Sequence, residues 1–355
     1  MRYFRLTFTV SLPSRRLHVG RRFAFLPVEM PCAQQRVGLS ALPFARTDQD
    51  KAGGMRRSGM GARYEMGELE YASGYEKMCG VTDEQLAFLS RHQDNLRRFE
   101  LQPTYDAALE PDLERLMRKR DELARHGFNA ARETGSASEA FRVEFAHTTT
   151  ALEGNGLTLA ETAMVLERDL TIPGKPLHDH LEVMDADAAF ARARKLAADG
   201  APLSEEVVFD VHRLIAAHLE EADPGEYRWD MRYVTSSSIY PPPSARVPEL
   251  MGALLVSPLA RPGVATAALF HLVFEDIHPF GDGNGRTGRA LLNLMLMEAG
   301  FPPVAFKADR ENARRYYDAI AAFVGDVEHR DGTALLRLVI ELEDQELGKR
   351  LALLG

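Results

Sequence analysis

From Thr82 onward, apolar residues return every three or four positions, with charged and polar residues between them. That spacing builds amphipathic helices, because positions i, i+3, i+4 and i+7 share one face of a 3.6-residue turn. It predicts helices over Asp83–Arg97, Pro111–Arg125, Leu159–Arg168, His180–Ala198, Glu205–Leu219, Pro248–Ser257, Thr266–Ile277 and Thr333–Leu353. Phe141–Leu152 has the same spacing, with Phe141, Phe145 and Leu152 suited to one buried stripe. Asn312–Phe323 reads as an amphipathic helix carrying the pair Tyr316 and Tyr317. Thr287–Ala299 differs: Leu, Met and Ala dominate it, which predicts a helix buried inside the domain, with Gly300 at the C′ position.

The punctuation between these elements is equally local. Thr158-Leu159-Ala160-Glu161 has the form of a capping box. Gly135–Ser138 reads as a loop or hinge, and Gly174-Lys175 as a loop. Arg232–Ile239 is rich in Tyr, Val, Thr and Ser, a strand-like composition broken by turn formers, and the prolines 241–243 then exclude regular structure. No internal repeat emerges. The expected fold class is all-α, a helical bundle with one small β-hairpin.

Composition adds limits. The chain has 355 residues, 45% of them hydrophobic, enough for a sizeable core. Net charge is −9, which argues against nucleic-acid binding as the main task. The balance is uneven: residues 1–63 hold 12 Lys/Arg against 3 Asp/Glu, leaving 31 against 49 in the remainder. This basic stretch lacks sustained periodicity. Residues 1–65 are therefore expected to be disordered, or an over-extended start whose natural methionine is Met55, Met60 or Met66. Leu6–Leu12 is too short for a signal sequence, and nothing approaches a membrane span. Cys32 and Cys79 are too few for a disulfide framework or a zinc site, which fits a reducing cytoplasm.

One loop carries most of the chemistry. His278–Arg289 reads HPFGDGNGRTGR. His278 is a candidate base, since its ordinary pKa of about 6.5 leaves much of it neutral near pH 7. Pro279 and Phe280 stop the preceding helix and supply an apolar anchor. Gly281, Gly283 and Gly285 permit backbone angles and close approaches that a Cβ would block. Asp282 offers a hard oxygen suited to Mg²⁺ carried on a polyphosphate. Arg286 and Arg289, three residues apart on a helix, face one side. The loop would thus stand at the N-terminus of a buried helix, where free N–H groups and the macrodipole attract anions. A lone histidine or a glycine turn is ordinarily structural. The combination of base, acid and phased arginines points to a phosphate site.

This segment resembles the Fic-family signature HPFx(D/N)GNGRxxR and matches it at every fixed position. The resemblance implies a Fic-fold bundle that transfers AMP from Mg-ATP to a Ser, Thr or Tyr hydroxyl of a target protein. By that likeness His278 would be the catalytic base and Asp282 the metal ligand. The nucleotide-binding set would run through Asp282, Gly283, Asn284, Gly285, Arg286, Thr287, Gly288 and Arg289, with Arg289 meeting the γ-phosphate. The family's phosphotransferase branch replaces the GNGR portion, whereas Gly283, Gly285 and Arg286 are intact here. Transfer of another phosphate-containing group, removal of AMP, or nucleotide sensing without catalysis remain the alternatives.

Further segments agree. Thr149–Asn155 resembles the family's inhibitory motif (S/T)xxxE(G/N), which implies that Thr149 and Glu153 act as a brake, Glu153 pairing with Arg289. Read from the residues alone, Glu153 lies in the last turn of its helix, ended by Gly154, where a solvated surface carboxylate is the plain alternative. Gly225-Glu226-Tyr227-Arg228 resembles the element that precedes the family's β-hairpin flap, which would put Val234, Thr235, Ser236 and Ser237 nearest nucleotide and target. By family pattern Tyr316 and Tyr317 would flank the adenosine, with core packing as the alternative. The expected organisation is an extension over 1–65, an N-terminal helical region over 66–140 and a Fic domain over 141–345 that includes an inhibitory helix at 141–154. The expected partners are ATP and a protein target, without membrane or nucleic acid, and a homodimer is implied only by the habit of relatives.

Overall fold

Local signals set the helices and long-range contacts trim their ends. A computed structural model describes residues 103–219, 222–229, 241–326 and 329–354. The expected helix over Asp83–Arg97, the extension over 1–65 and the hairpin with Val234–Ser237 lie outside the described residues. Among those described there are ten α-helices and one isolated parallel bridge between Thr104 and Asp331. In chain order the helices are α1 Glu110–Arg125, α2 Ser136–Ala151, α3 Leu159–Arg168, α4 Leu177–Asp199 and α5 Glu205–Ile215. Then follow α6 Val247–Val256, α7 Val264–Ile277, α8 Asn284–Glu298, α9 Arg310–Gly325 and α10 Thr333–Ala352.

α3 occupies the residues its periodicity predicts, and its capping box forms: Thr158 Oγ1 accepts from the Glu161 N–H, and the Glu161 carboxylate accepts from the Thr158 N–H. α2 begins earlier than expected. Gly135, at φ 94°, makes the break, and Ser136–Ser138, read as a hinge, form the first turn. The reason is tertiary: Ser138 is buried and accepts from Arg194 of α4 at 2.8 Å. α5 ends at Ile215 rather than Leu219, and beyond it His218 pairs with Asp185 of α4 at 2.9 Å.

α7 and α8 form the centre, with nearly every side chain buried. α4, α5 and α2 pack around α8, while α10 lies on α7 and receives α1. Burying each leucine of α8 stabilises the fold by roughly 1.5–3 kcal/mol. α8 also carries one buried amide, Asn293, which accepts from the Val304 N–H at 2.7 Å and donates to the Val304 carbonyl at 3.0 Å. The segment after Gly300 is thereby fastened to the central helix. α1 contributes Leu113, Leu116 and Leu123 to the same core, and residue 141 lies inside α2, so the described part of the N-terminal region is continuous with the rest. No helix among the described residues is long and apolar enough to cross a membrane.

Candidate functional site

The loop from His278 to Gly283 joins the two central helices and is closed by its own side chains. His278 ends α7 in the left-handed conformation, φ 49°. Asn284, the first residue of α8, reaches back: its Oδ1 accepts from the Phe280 N–H at 2.9 Å and its Nδ2 donates to the Phe280 carbonyl at 3.0 Å. The Phe280 ring is fully buried and stacks on His212 of α5 with centroids 3.6 Å apart. Gly283 stands at φ 77°, and a Cβ there would meet Ile215 at 2.9 Å, so both conformation and space demand glycine.

Two residues from other elements hold the loop from outside. His212 accepts from the Gly225 N–H through Nδ1 at 3.0 Å, so its Nε2 carries the hydrogen and donates to the Asp282 carbonyl, also at 3.0 Å. Burial pushes the His212 pKa down to about 4, against the smaller opposing effect of the Asp282 carbonyl, so the ring stays neutral. Arg228 donates from its backbone N–H to Pro279 O at 2.9 Å and from Nε to His278 O at 2.7 Å, and its side chain also reaches Pro242 O. His212 was invisible to sequence reading: one histidine on an amphipathic helix carries no local signal, and its partner Asp282 lies 70 residues away.

α8 starts at Asn284, not Thr287, because Gly283 supplies the reversal and Asn284 the clip. The first-turn amides of Asn284, Gly285 and Arg286 therefore have no intrahelical acceptor and form the anion-attracting end. The Thr287 N–H is already bonded to Gly283 O at 2.9 Å. Thr287 is fully buried, and a Cβ on Gly288 would strike Glu275 Oε1 and His271 Nδ1 at 2.8 Å. Both residues, expected among the nucleotide contacts, face the interior. The Asn284 side chain is spent on Phe280, which leaves its backbone N–H for an anion.

Arg289 is 2% exposed and has a partner on every nitrogen. Nε donates to Thr149 Oγ1, and Nη2 donates to both Thr149 O and Glu153 Oε1, all at 2.8 Å. Nη1 donates to Tyr316 OH at 3.2 Å, and that hydroxyl pairs with His271 Nε2 at 2.7 Å. Arg289 thus also satisfies a last-turn carbonyl of α2, where a cation suits the negative end of the helix. Burial alone would favour the neutral acid at Glu153, but the positive charges of Arg289 and Arg286 outweigh it and hold the carboxyl below its ordinary range. A Cβ on Gly285 would collide with the Glu153 carboxylate. Glu153 itself lies beyond α2 rather than in its last turn: the helix ends at Ala151, and Gly154 at φ 100° completes the turn.

Tyr316 sits in the core beneath Arg289 at 1% exposure, and its hydroxyl braces the guanidinium. Tyr317 is half-buried and donates to Leu152 O at 2.6 Å. Arg286, also buried, donates to Glu182 of α4 at 3.0 Å and lies 3.5 Å from Asp282 Oδ1. Two further buried groups lie behind Arg289: Glu275, whose pKa burial raises to about 8, and His271, whose pKa burial lowers to about 3. No cluster of three or more His, Cys, Asp and Glu able to hold a metal occurs among the described residues.

Comparison with known proteins agrees with this geometry. A model of the Fic/DOC family matches residues 202–296. The chain is 33% identical over 222 residues to a protein adenylyltransferase Fic of Culex quinquefasciatus, covering 60% of this chain and 43% of that protein. It therefore spans less than half the length of that relative. Among solved structures, a Fic domain containing signaling protein from Bacteroides thetaiotaomicron has a similar fold, with TM-score 0.57 and 21% identity over 67% of this chain and 95% of the other. Fic-1 from C. elegans superposes with TM-score 0.54 at 25% identity, covering 80% of this chain and 81% of its own. The matched residues include the helix of His212, the arginine that fastens the loop and the whole His278–Arg289 signature: this chain carries a domain of the Fic/DOC family.

Proposed function

We propose that this domain transfers an adenylyl group from ATP to a hydroxyl of a protein, its own chain included, and that Glu153 restrains it. The observation that carries the reading is the Glu153–Arg289 ion pair at 2.8 Å, beside the free amide end of α8 and His278. Arg286 and Arg289 would bind the phosphates by charge-assisted hydrogen bonds. The neutral imidazole of His278 would accept the proton of the target hydroxyl as its oxygen attacks the α-phosphorus, and pyrophosphate would leave. Arg228 and His212 keep that histidine and the loop carbonyls in place. The flap expected at Val234–Ser237 would hold the target by strand addition.

Asp282 suits a metal delivered on the nucleotide. Its side chain is 27% exposed, and Oδ1 accepts from the Gly283 N–H while Oδ2 is left for a further ligand. One carboxylate plus phosphate oxygens is a common Mg²⁺ set, and the ion would neutralise charge on the polyphosphate.

The brake has an adequate magnitude. At an effective dielectric near 20, opposite charges ~4 Å apart attract by roughly 4 kcal/mol before desolvation. A bias of about 3 kcal/mol against the productive nucleotide pose slows turnover about a hundredfold. Incubation of the Glu153→Gly chain with labelled ATP tests the reading. The chain is expected to take up label from α-³²P-ATP and none from γ-³²P-ATP, and Glu153→Gly/His278→Ala is expected to take up none. Label from γ-³²P-ATP alone would make it a kinase. ATP binding without any label would make it a sensor.

A further inference from the structure

The first arginine of the signature, Arg286, has a carboxylate of its own, and it comes from another helix. Glu182, on α4, uses each of its oxygens differently. Oε1 accepts from Arg286 Nη1 at 3.0 Å, and Oε2 accepts from Asn155 Nδ2 at 2.9 Å. Asn155 lies two residues beyond Glu153 in the same turn. Its amide is otherwise committed to that turn and to α4: Nδ2 also donates to Asp179 O at 2.9 Å, and Oδ1 accepts from the Leu157 N–H at 3.0 Å. The next N–H, of Gly156, donates to Asp179 Oδ2 at 3.1 Å. Besides its bonds to Asp179, the turn carrying Glu153 is thus joined to the two signature arginines by two arms. One is direct, Glu153 to Arg289, and the other is indirect, Asn155 through Glu182 to Arg286.

We propose that Glu182 is a positioning residue that aims Arg286 at the phosphate site and ties it to the Glu153 turn, so that the two arginines are freed together. The burial of the parts supports a bridge over a surface contact: the Arg286 side chain is 4% exposed and that of Glu182 is 18% exposed. Arg286 Nε has no hydrogen-bond partner among the described residues and Nη2 lies at the long distance of 3.5 Å from Asp282 Oδ1, so the shorter Glu182 contact is the stronger hold on the guanidinium. A carboxylate is needed for the double acceptance. Because the two donors meet different oxygens, a glutamine would set an N–H₂ group against one of them in place of an acceptor.

The inference rests on the adenylyl-transfer reading for its kinetic test and stands free of it in a second one. In the full chain, with Glu153 present, Asn155→Ala and Glu182→Gln are each expected to raise basal labelling from α-³²P-ATP roughly fivefold to tenfold. In the Glu153→Gly background Asn155→Ala should change nothing, because it acts only through the brake. There Glu182→Gln should raise the KM for ATP about fivefold with kcat within about twofold, the mark of a lost binding geometry. A silent Asn155→Ala with Glu153 present, or a silent Glu182→Gln without it, would overturn the proposal. The second measurement is amide hydrogen exchange over residues 153–157 in the nucleotide-free chain. Arg286→Ala should speed it by about tenfold, and should add nothing in the Glu182→Gln chain. If the Glu153→Gly chain takes no label, the transfer reading fails alone, and unchanged exchange in Arg286→Ala would then be the result that sinks the bridge.

Discussion

Arg330 and Arg289 are both almost fully enclosed, and each meets a carboxylate. Arg330 is 1% exposed, lies over the Phe323 ring at 4.3 Å and pairs with Asp276, which is on central helix α7 and wholly buried. Arg289 is 2% exposed and pairs with Glu153, which is 19% exposed and sits on a short turn outside any helix. The arginines are alike, and the counter-ions are not. Asp276 cannot withdraw without unpacking α7, so that pair acts on stability. Under the proposed brake Glu153 would withdraw with its turn, leaving Arg289 its bonds to Thr149 and Tyr316. A buried ion pair by itself therefore says little about function. The element that delivers the carboxylate, and its route to solvent, say more.

Three measurements bear on that contrast. The largest effect is expected from Asp276→Ala, which removes a fully buried counter-ion of Arg330 and should cost about 3–5 kcal/mol in urea unfolding. A loss below about 1 kcal/mol would mean that Arg330 finds water, and the two pairs would be equivalent. Next, Glu153→Gly should cost no more than about 1–2 kcal/mol of stability, since its partner keeps neutral hydrogen bonds. That small loss should accompany the roughly hundredfold rise in self-labelling. Equal stability losses in the two variants would erase the distinction.

The smallest effect is a pH dependence. Glu275 neighbours Asp276 in sequence but faces Gly288 and the Arg289 side of α7. Its carboxyl is raised by burial to about 8, above the ordinary value of 4.5. The folded state thus holds this proton more tightly than the unfolded one. The stability it brings is full below pH 4.5 and is lost as pH rises towards about 8. His271, lowered to about 3, works in the opposite sense: its contribution is present above pH 6.5 and lost as pH falls below it. Comparing the wild-type chain with Glu275→Gln isolates the first effect. The variant should lose less stability between pH 5 and 8, a relative gain of about 2–4 °C in Tm for each kcal/mol recovered. Parallel Tm curves would show Glu275 to be ionised as usual.

Much of this could be read along the chain. The residues of α3 and its capping box follow from neighbours at most four positions apart. The core face of α2 does too, with Phe141, Phe145 and Leu152 all buried. The Fic signature and the inhibitory motif pointed to His278, Arg289, Thr149 and Glu153 because each is a short, contiguous string. The start of α8 was misplaced because Asn284 and Gly285 have low helical propensity, and the clip from Asn284 to Phe280 is a side-chain geometry that propensity does not contain. Thr287 and Gly288 were assigned to the nucleotide because they belong to the motif, whereas the helix turns both inward.

The pairing of Arg289 with Glu153 bridges 136 residues, Arg286 with Glu182 bridges 104, and His212 with Asp282 bridges 70. Periodicity and capping are contests between adjacent groups, so composition over a few turns resolves them. Which acid reaches which arginine depends on how α2, α4 and α8 cross, and on how much water each crossing excludes. Those are properties of the assembled core, and there a carboxylate gains the power either to lock a guanidinium or to release it.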